Sequence, residues 1–66
     1  MLEFKVQDMT CGHCVATITK AVKEVEQQAR VEADVQSHIV RVEGASDRLA
    51  IEEAIRDAGY TPQALG

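Results

Sequence analysis

Two cysteines three positions apart, in the run Met9-Thr10-Cys11-Gly12-His13-Cys14, are the residues of this chain best equipped for chemistry. A thiolate is a nucleophile, a redox centre and a soft metal ligand, and its surroundings decide which of these it becomes. The run falls where a strand should end and a helix begin. There the sulfurs face unpaired backbone N–H groups and the positive end of the helix dipole, which lower a cysteine pKa from about 8.5 into the range of about 3.5–7.5. A two-residue spacer turns both sulfurs toward one point, and Gly12 bends the loop without a Cβ clash. One soft metal ion fits that arrangement.

Two thiolates alone select thiophilic ions such as Cu(I), whereas structural zinc takes four ligands in a closed tetrahedron. The imidazoles on offer are His13 and His38. His38 is expected at a hairpin turn, exposed, without a role and at the far end of a strand from the cysteines, which disfavours a Cys2His2 zinc site. His13 reads as a solvent-facing side chain, with a third-ligand role as the sharper alternative. Met9 could offer a thioether, but an apolar residue at a strand end reads first as core. Tyr60 is open between filling the core beside Gly59 and covering the metal with its hydroxyl near the sulfurs. Thiol–disulfide exchange is the competing class, because C-x-x-C near a βαβ pattern marks redox sites. The thioredoxin type, however, brings a longer chain and a Trp before the first cysteine, and this chain has no Trp. A metal-free interaction module would leave the paired cysteines without purpose.

The elements that must position these groups are legible from periodicity. Leu2, Phe4 and Val6 alternate with Glu3, Lys5 and Gln7, predicting a half-buried strand over 2–7. Val15, Ile18, Val22, Val25 and Ala29 recur at steps of three and four, predicting a helix over about 12–28. Lys20 and Lys23 lie off that stripe, on a solvated face able to meet an acidic partner surface. Val31, Ala33 and Val35, then Val40 and Val42, alternate on either side of Gln36-Ser37 and predict a hairpin. Ser46 is a candidate N-cap for a second helix over about 47–58, carried by Leu49, Ile51, Ala54, Ile55 and Ala58 and stopped by Gly59. The segment Tyr60 to Leu65, with its proline, predicts a fourth strand at an edge. The order β-α-β-β-α-β is the ferredoxin-like α+β sandwich: a four-stranded antiparallel sheet with two helices on one face.

Length and charge narrow the partners. A chain of 66 residues has room for one domain, expected to span 1–66, with a modest core built from Val, Ile, Leu and Ala. Eleven acidic residues against seven basic give a net charge of −4, which opposes nucleic-acid binding. No apolar run approaches the ~18 residues of a membrane-spanning helix, and Met1 leads straight into Leu2-Glu3-Phe4 without a secretory signal, so a soluble, cytoplasmic protein is expected.

The Met9-Thr10-Cys11-x-x-Cys14 opening, the amphipathic helix behind it and the closing Ala58-Gly59-Tyr60 together resemble the heavy-metal-associated domain family, and within it the small bacterial copper chaperones. The resemblance runs over all 66 residues, strand order included. It implies that Cys11 and Cys14 bind Cu(I), that Met9 packs beneath the metal loop and that Tyr60 lies close to the metal. It also implies transfer of copper to the metal-binding domain of a copper-transporting P-type ATPase, without enzymatic turnover. Zinc-preferring relatives often carry an acidic residue before the first cysteine, where this chain has Thr10, whereas mercury-binding relatives share the Met-Thr-Cys opening. Mercury or zinc binding therefore stays as an alternative, as does an excised N-terminal domain of a metal-transporting ATPase; a start at Met1 favours the free-standing chaperone. The apo chain is expected to be monomeric, since its net charge opposes self-association. Coordinatively unsaturated copper could then bridge a homodimer through four thiolates.

Overall fold

The computed structural model describes residues 1–65. Its elements follow the order β1 (Leu2–Val6), α1 (Gly12–Val25), β2 (Arg30–Asp34), β3 (Ile39–Glu43), α2 (Arg48–Asp57) and β4 (Pro62–Ala64). The sheet order is β2-β3-β1-β4, every pair antiparallel. Phe4 and Val6 of β1 and Val40 and Val42 of β3 point to one face, and Ile18 and Val22 of α1 with Ile51 and Ile55 of α2 close over them in one buried cluster. This is the ferredoxin-like α+β sandwich, with the short, proline-bearing β4 at an edge beside β1. No helix among the described residues is long and apolar enough to cross a membrane.

Four local departures from the sequence reading have physical causes. The first helix stops at Val25 rather than Gln28, because Glu26 turns extended at φ −137° and ψ 96°. Its 14 residues rise about 21 Å, already more than the about 17 Å of a five-residue strand, so three more residues would carry the chain past the sheet. Ala29 is still buried, at 2% exposure, but from the loop that follows. Asp47, one residue after Ser46, caps α2 by accepting the Ala50 N–H at 3.2 Å. Leu49 is 67% exposed; two residues before Ile51 on a helix means about 200° away, so it faces solvent while Ile51 faces the core. Finally, Val35 leaves the strand for a four-residue connection, because Asp34 pairs with Ile39. The Asp34 carboxylate accepts the Gln36 N–H at 2.9 Å, and His38 closes the turn at φ 61°.

Antiparallel pairing of β1 with β3 sets Lys5 opposite Ile39. The end of β1, where the cysteine loop departs, therefore lies beside the β2–β3 turn. On its other side, Val6 pairs with Pro62, which brings in the segment joining α2 to β4. Three connections thus converge at one end of the sheet.

Candidate metal centre

Cys11 is the N-cap of α1, with extended backbone at φ −154° and ψ 171°. Its carbonyl accepts from the N–H groups of Cys14 at 3.1 Å and Val15 at 3.3 Å, which begins the helix. The side chain makes no capping hydrogen bond, so its sulfur remains available. Cys14 lies in the first turn, half-buried, while Cys11 is exposed. The two sulfurs are 3.6 Å apart. That is far longer than a disulfide bond of about 2.05 Å and shorter than twice a metal–thiolate distance of about 2.3 Å. One ion can therefore touch both sulfurs at once.

The surroundings favour a charged Cys14. Its pKa is pulled down to about 7, chiefly by the Tyr60 hydroxyl and the Thr10 backbone N–H donating to the sulfur, with partial burial opposing them and smaller help from the Cys11 thiol and N–H. The same contact raises the Tyr60 pKa, because a phenol held by Cys14 is reluctant to ionise and the nearby sulfur charges add to that reluctance. Near neutral pH, Cys14 is poised between thiol and thiolate.

The other residues singled out by sequence fall into three groups. Tyr60 packs half-buried against the core, and its hydroxyl is close enough to Cys14 to lower that thiol's pKa. Met9 is fully buried in the central cluster, as a core residue at the base of the cysteine loop. His13 is exposed, and its carbonyl accepts the Thr17 hydroxyl at 3.0 Å. No group of three His, Cys, Asp or Glu side chains among the described residues could hold one ion, so neither histidine is brought into a ligand set with the cysteine pair. Lys20 and Lys23 are exposed, as expected of a solvated helix face.

The expectation for His38 is corrected. It is half-buried, and its ring Nδ1 lies 3.1 Å from the Met9 carbonyl oxygen, while its own carbonyl accepts the Val6 N–H at 2.7 Å. The turn it occupies is at the same end of the sheet as the cysteine loop, because β3 starts where its antiparallel neighbour β1 ends. Sequence reasoning also missed Asp8, whose carboxylate accepts from the Thr61 N–H and hydroxyl, each at 3.2 Å. An Asp just after a strand signals a turn, but no spacing rule connects it to a residue 53 positions away.

Residues 3–61 match the heavy-metal-associated domain. The chain is 43% identical over 61 residues to the COP-associated protein of Helicobacter felis, covering 89% of this chain and 92% of that one. It is 40% identical over 60 residues to copper-transporting ATPase 1 of Rhizobium meliloti, where 88% of this chain corresponds to 7% of the ATPase. The fold superimposes on the copper chaperone Atx1 from Synechocystis PCC6803 with a TM-score of 0.91 at 30% identity, covering 96% of this chain and all of that one. A match that takes in the cysteine run, both helices and the Tyr60 segment, on a fold with the same layers, has one reading: the chain belongs to the heavy-metal-associated domain family.

Proposed function

We propose that the chain is a copper chaperone: it carries Cu(I) on the Cys11 and Cys14 thiolates and passes it to the metal-binding domain of a copper-transporting P-type ATPase. The observation that carries this reading is the pair of sulfurs 3.6 Å apart on an exposed loop at the start of α1. Two thiolates, with no third His, Cys, Asp or Glu grouped with them among the described residues, suit Cu(I) and leave zinc's tetrahedron unfilled. The likeness to a copper chaperone and to part of a copper-transporting ATPase supports the same cargo.

Delivery needs no turnover, so the chain is not an enzyme. Copper held by two sulfurs has room for a third, and a cysteine of the acceptor can bond before either original bond breaks. A loop site keeps that third position within reach, and chelation by two thiolates keeps free copper low. Binding displaces any proton still on the sulfurs, which is easy for Cys14 near neutral pH. Residues 1–66 act as one unit, in the reducing cytoplasm where thiols stay free. The apo chain is monomeric, and copper shared across two loops through four thiolates yields a dimer that a competing thiol such as glutathione dissolves.

The likeness to a short part of an ATPase supports a second arrangement, in which the same module receives copper rather than delivers it. Both arrangements use the same exchange at Cys11 and Cys14. Native mass spectrometry under reducing conditions tests the site: one Cu(I) per monomer is expected, or two chains sharing metal at higher loading. Uptake of zinc in preference to Cu(I) would overturn the reading.

A further inference from the structure

Tyr60 stands in the short connection between α2 and β4, with its side chain packed against the core and toward Cys14. α2 ends at Asp57, Gly59 just beyond its cap turns into the left-handed region at φ 100°, and the Tyr60 N–H donates to the Ile55 carbonyl at 3.3 Å. That secures one side of Tyr60 to the helix. On the other side stands Thr61, and both of its donors are taken by one carboxylate: the backbone N–H by Asp8 Oδ1 and the hydroxyl by Asp8 Oδ2. Asp8 belongs to the turn that leads from β1 into the cysteine loop. The two-pronged contact therefore joins the segment carrying Tyr60 to the segment carrying Cys11 and Cys14. Both clamp residues are exposed, so they add little to the core. At 3.2 Å each the two bonds are long for charge-assisted ones, but their two prongs fix the direction of the contact.

Resting on the copper-carrying reading, we infer that Asp8 and Thr61 are positioning residues, whose clamp holds the Tyr60 hydroxyl against Cys14 and thereby slows loss of the metal to competing ligands. A competing thiol or chelator must approach copper through its open side. A tyrosine fixed beside one sulfur narrows that approach, and one free to swing does not. Breaking the clamp loses a contact on the order of one hydrogen bond, which corresponds to about a two- to tenfold faster transfer.

The chain carries one Tyr and no Trp, so its intrinsic fluorescence reports Tyr60 alone. In the apo protein a phenol held to a cysteine sulfur is quenched, and releasing it restores emission. Asp8→Ala and Thr61→Val should each raise Tyr60 emission of the apo protein and speed Cu(I) transfer to the chelator bathocuproine. Thr61→Ser, which keeps both donors, should behave as the parent in both measurements. In a Tyr60→Phe background the added Asp8→Ala change should leave the transfer rate unaltered, which separates positioning of Tyr60 from general loosening of the loop. Should Asp8→Ala fail to fold, Thr61→Val decides the question. Unchanged emission in the folded clamp variants, or equal acceleration of transfer in the Tyr60→Phe background, would overturn the clamp. A parent chain that takes up no Cu(I) would instead overturn the copper reading, while the emission of the apo variants would still decide whether the clamp holds Tyr60.

Discussion

The two helices of this fold begin in opposite ways. α2 begins on Asp47, whose carboxylate satisfies the Ala50 N–H. α1 begins on Cys11, which makes no side-chain cap. Neither helix carries an acidic residue in its first turn, so both N-termini retain their positive dipole ends. At α2 that end is stabilised by a residue suited to it. At α1 it carries no side-chain cap, and Cys14 in its first turn gains ionisation from the Tyr60 hydroxyl and the Thr10 N–H. One terminus thus serves the fold and the other gives up a capping interaction, worth typically about 1 kcal/mol, to keep two sulfurs free. Sites of this kind are where a stability optimum yields to function.

That contrast breaks most sharply at the cysteines themselves. Cys11→Ser or Cys14→Ser should reduce Cu(I) affinity by more than the about 10–100-fold that changes around a metal site cost, with far-ultraviolet circular dichroism unchanged because Cys11 is exposed, Cys14 is only half-buried and serine leaves no sizeable cavity at either. Competition with a Cu(I) chelator checks the affinity; tight binding in either variant would end the two-thiolate site.

Acid acts next. With Cys14 at about 7, its proton alone should cost about tenfold in Cu(I) affinity per pH unit below that value. The apo protein should feel the same group. The folded pKa lies below the ordinary value of about 8.5, so between the two the unfolded chain binds more protons and stability rises with pH. The gain is complete above about pH 8.5 and is lost as pH falls through about 7. Thermal melts of the apo protein at pH 6.5 and 9 should show the rise, and Cys14→Ser should abolish it.

The helix starts supply the two smallest effects, with opposite signs. Asp47→Ala should destabilise the chain by about 1 kcal/mol while leaving Cu(I) affinity as it was. Cys11→Asp should do the reverse, stabilising the apo protein by about 0.5–1 kcal/mol and abolishing binding. Denaturant titrations of both variants measure the pair, and a Cys11→Asp variant less stable than the parent would show that the thiol contributes to the fold as well as to the site.

Much of this architecture was legible in the chain because its signals are local. Alternation in Leu2-Phe4-Val6 and three-four spacing from Val15 to Val22 each describe one face of one element. The boundaries were less legible. Whether Ala29 continues a helix or packs from a loop depends on how far the sheet extends, and whether Ser46 or Asp47 caps α2 depends on a backbone angle. His38 was misplaced because its neighbour Met9 is brought to it by strand pairing across 29 residues.

The sequence by itself determined the element order, the location of Cys11 and Cys14 at a helix start and the apolar identity of the core, because periodicity and spacing act within a few residues. Only the tertiary structure decided that Tyr60 meets Cys14, that His38 meets Met9 and that Asp8 meets Thr61. Each of these joins segments that are distant along the chain and adjacent at one end of the sheet. The antiparallel order β2-β3-β1-β4 brings them together, through hydrogen bonds whose partners no local pattern specifies.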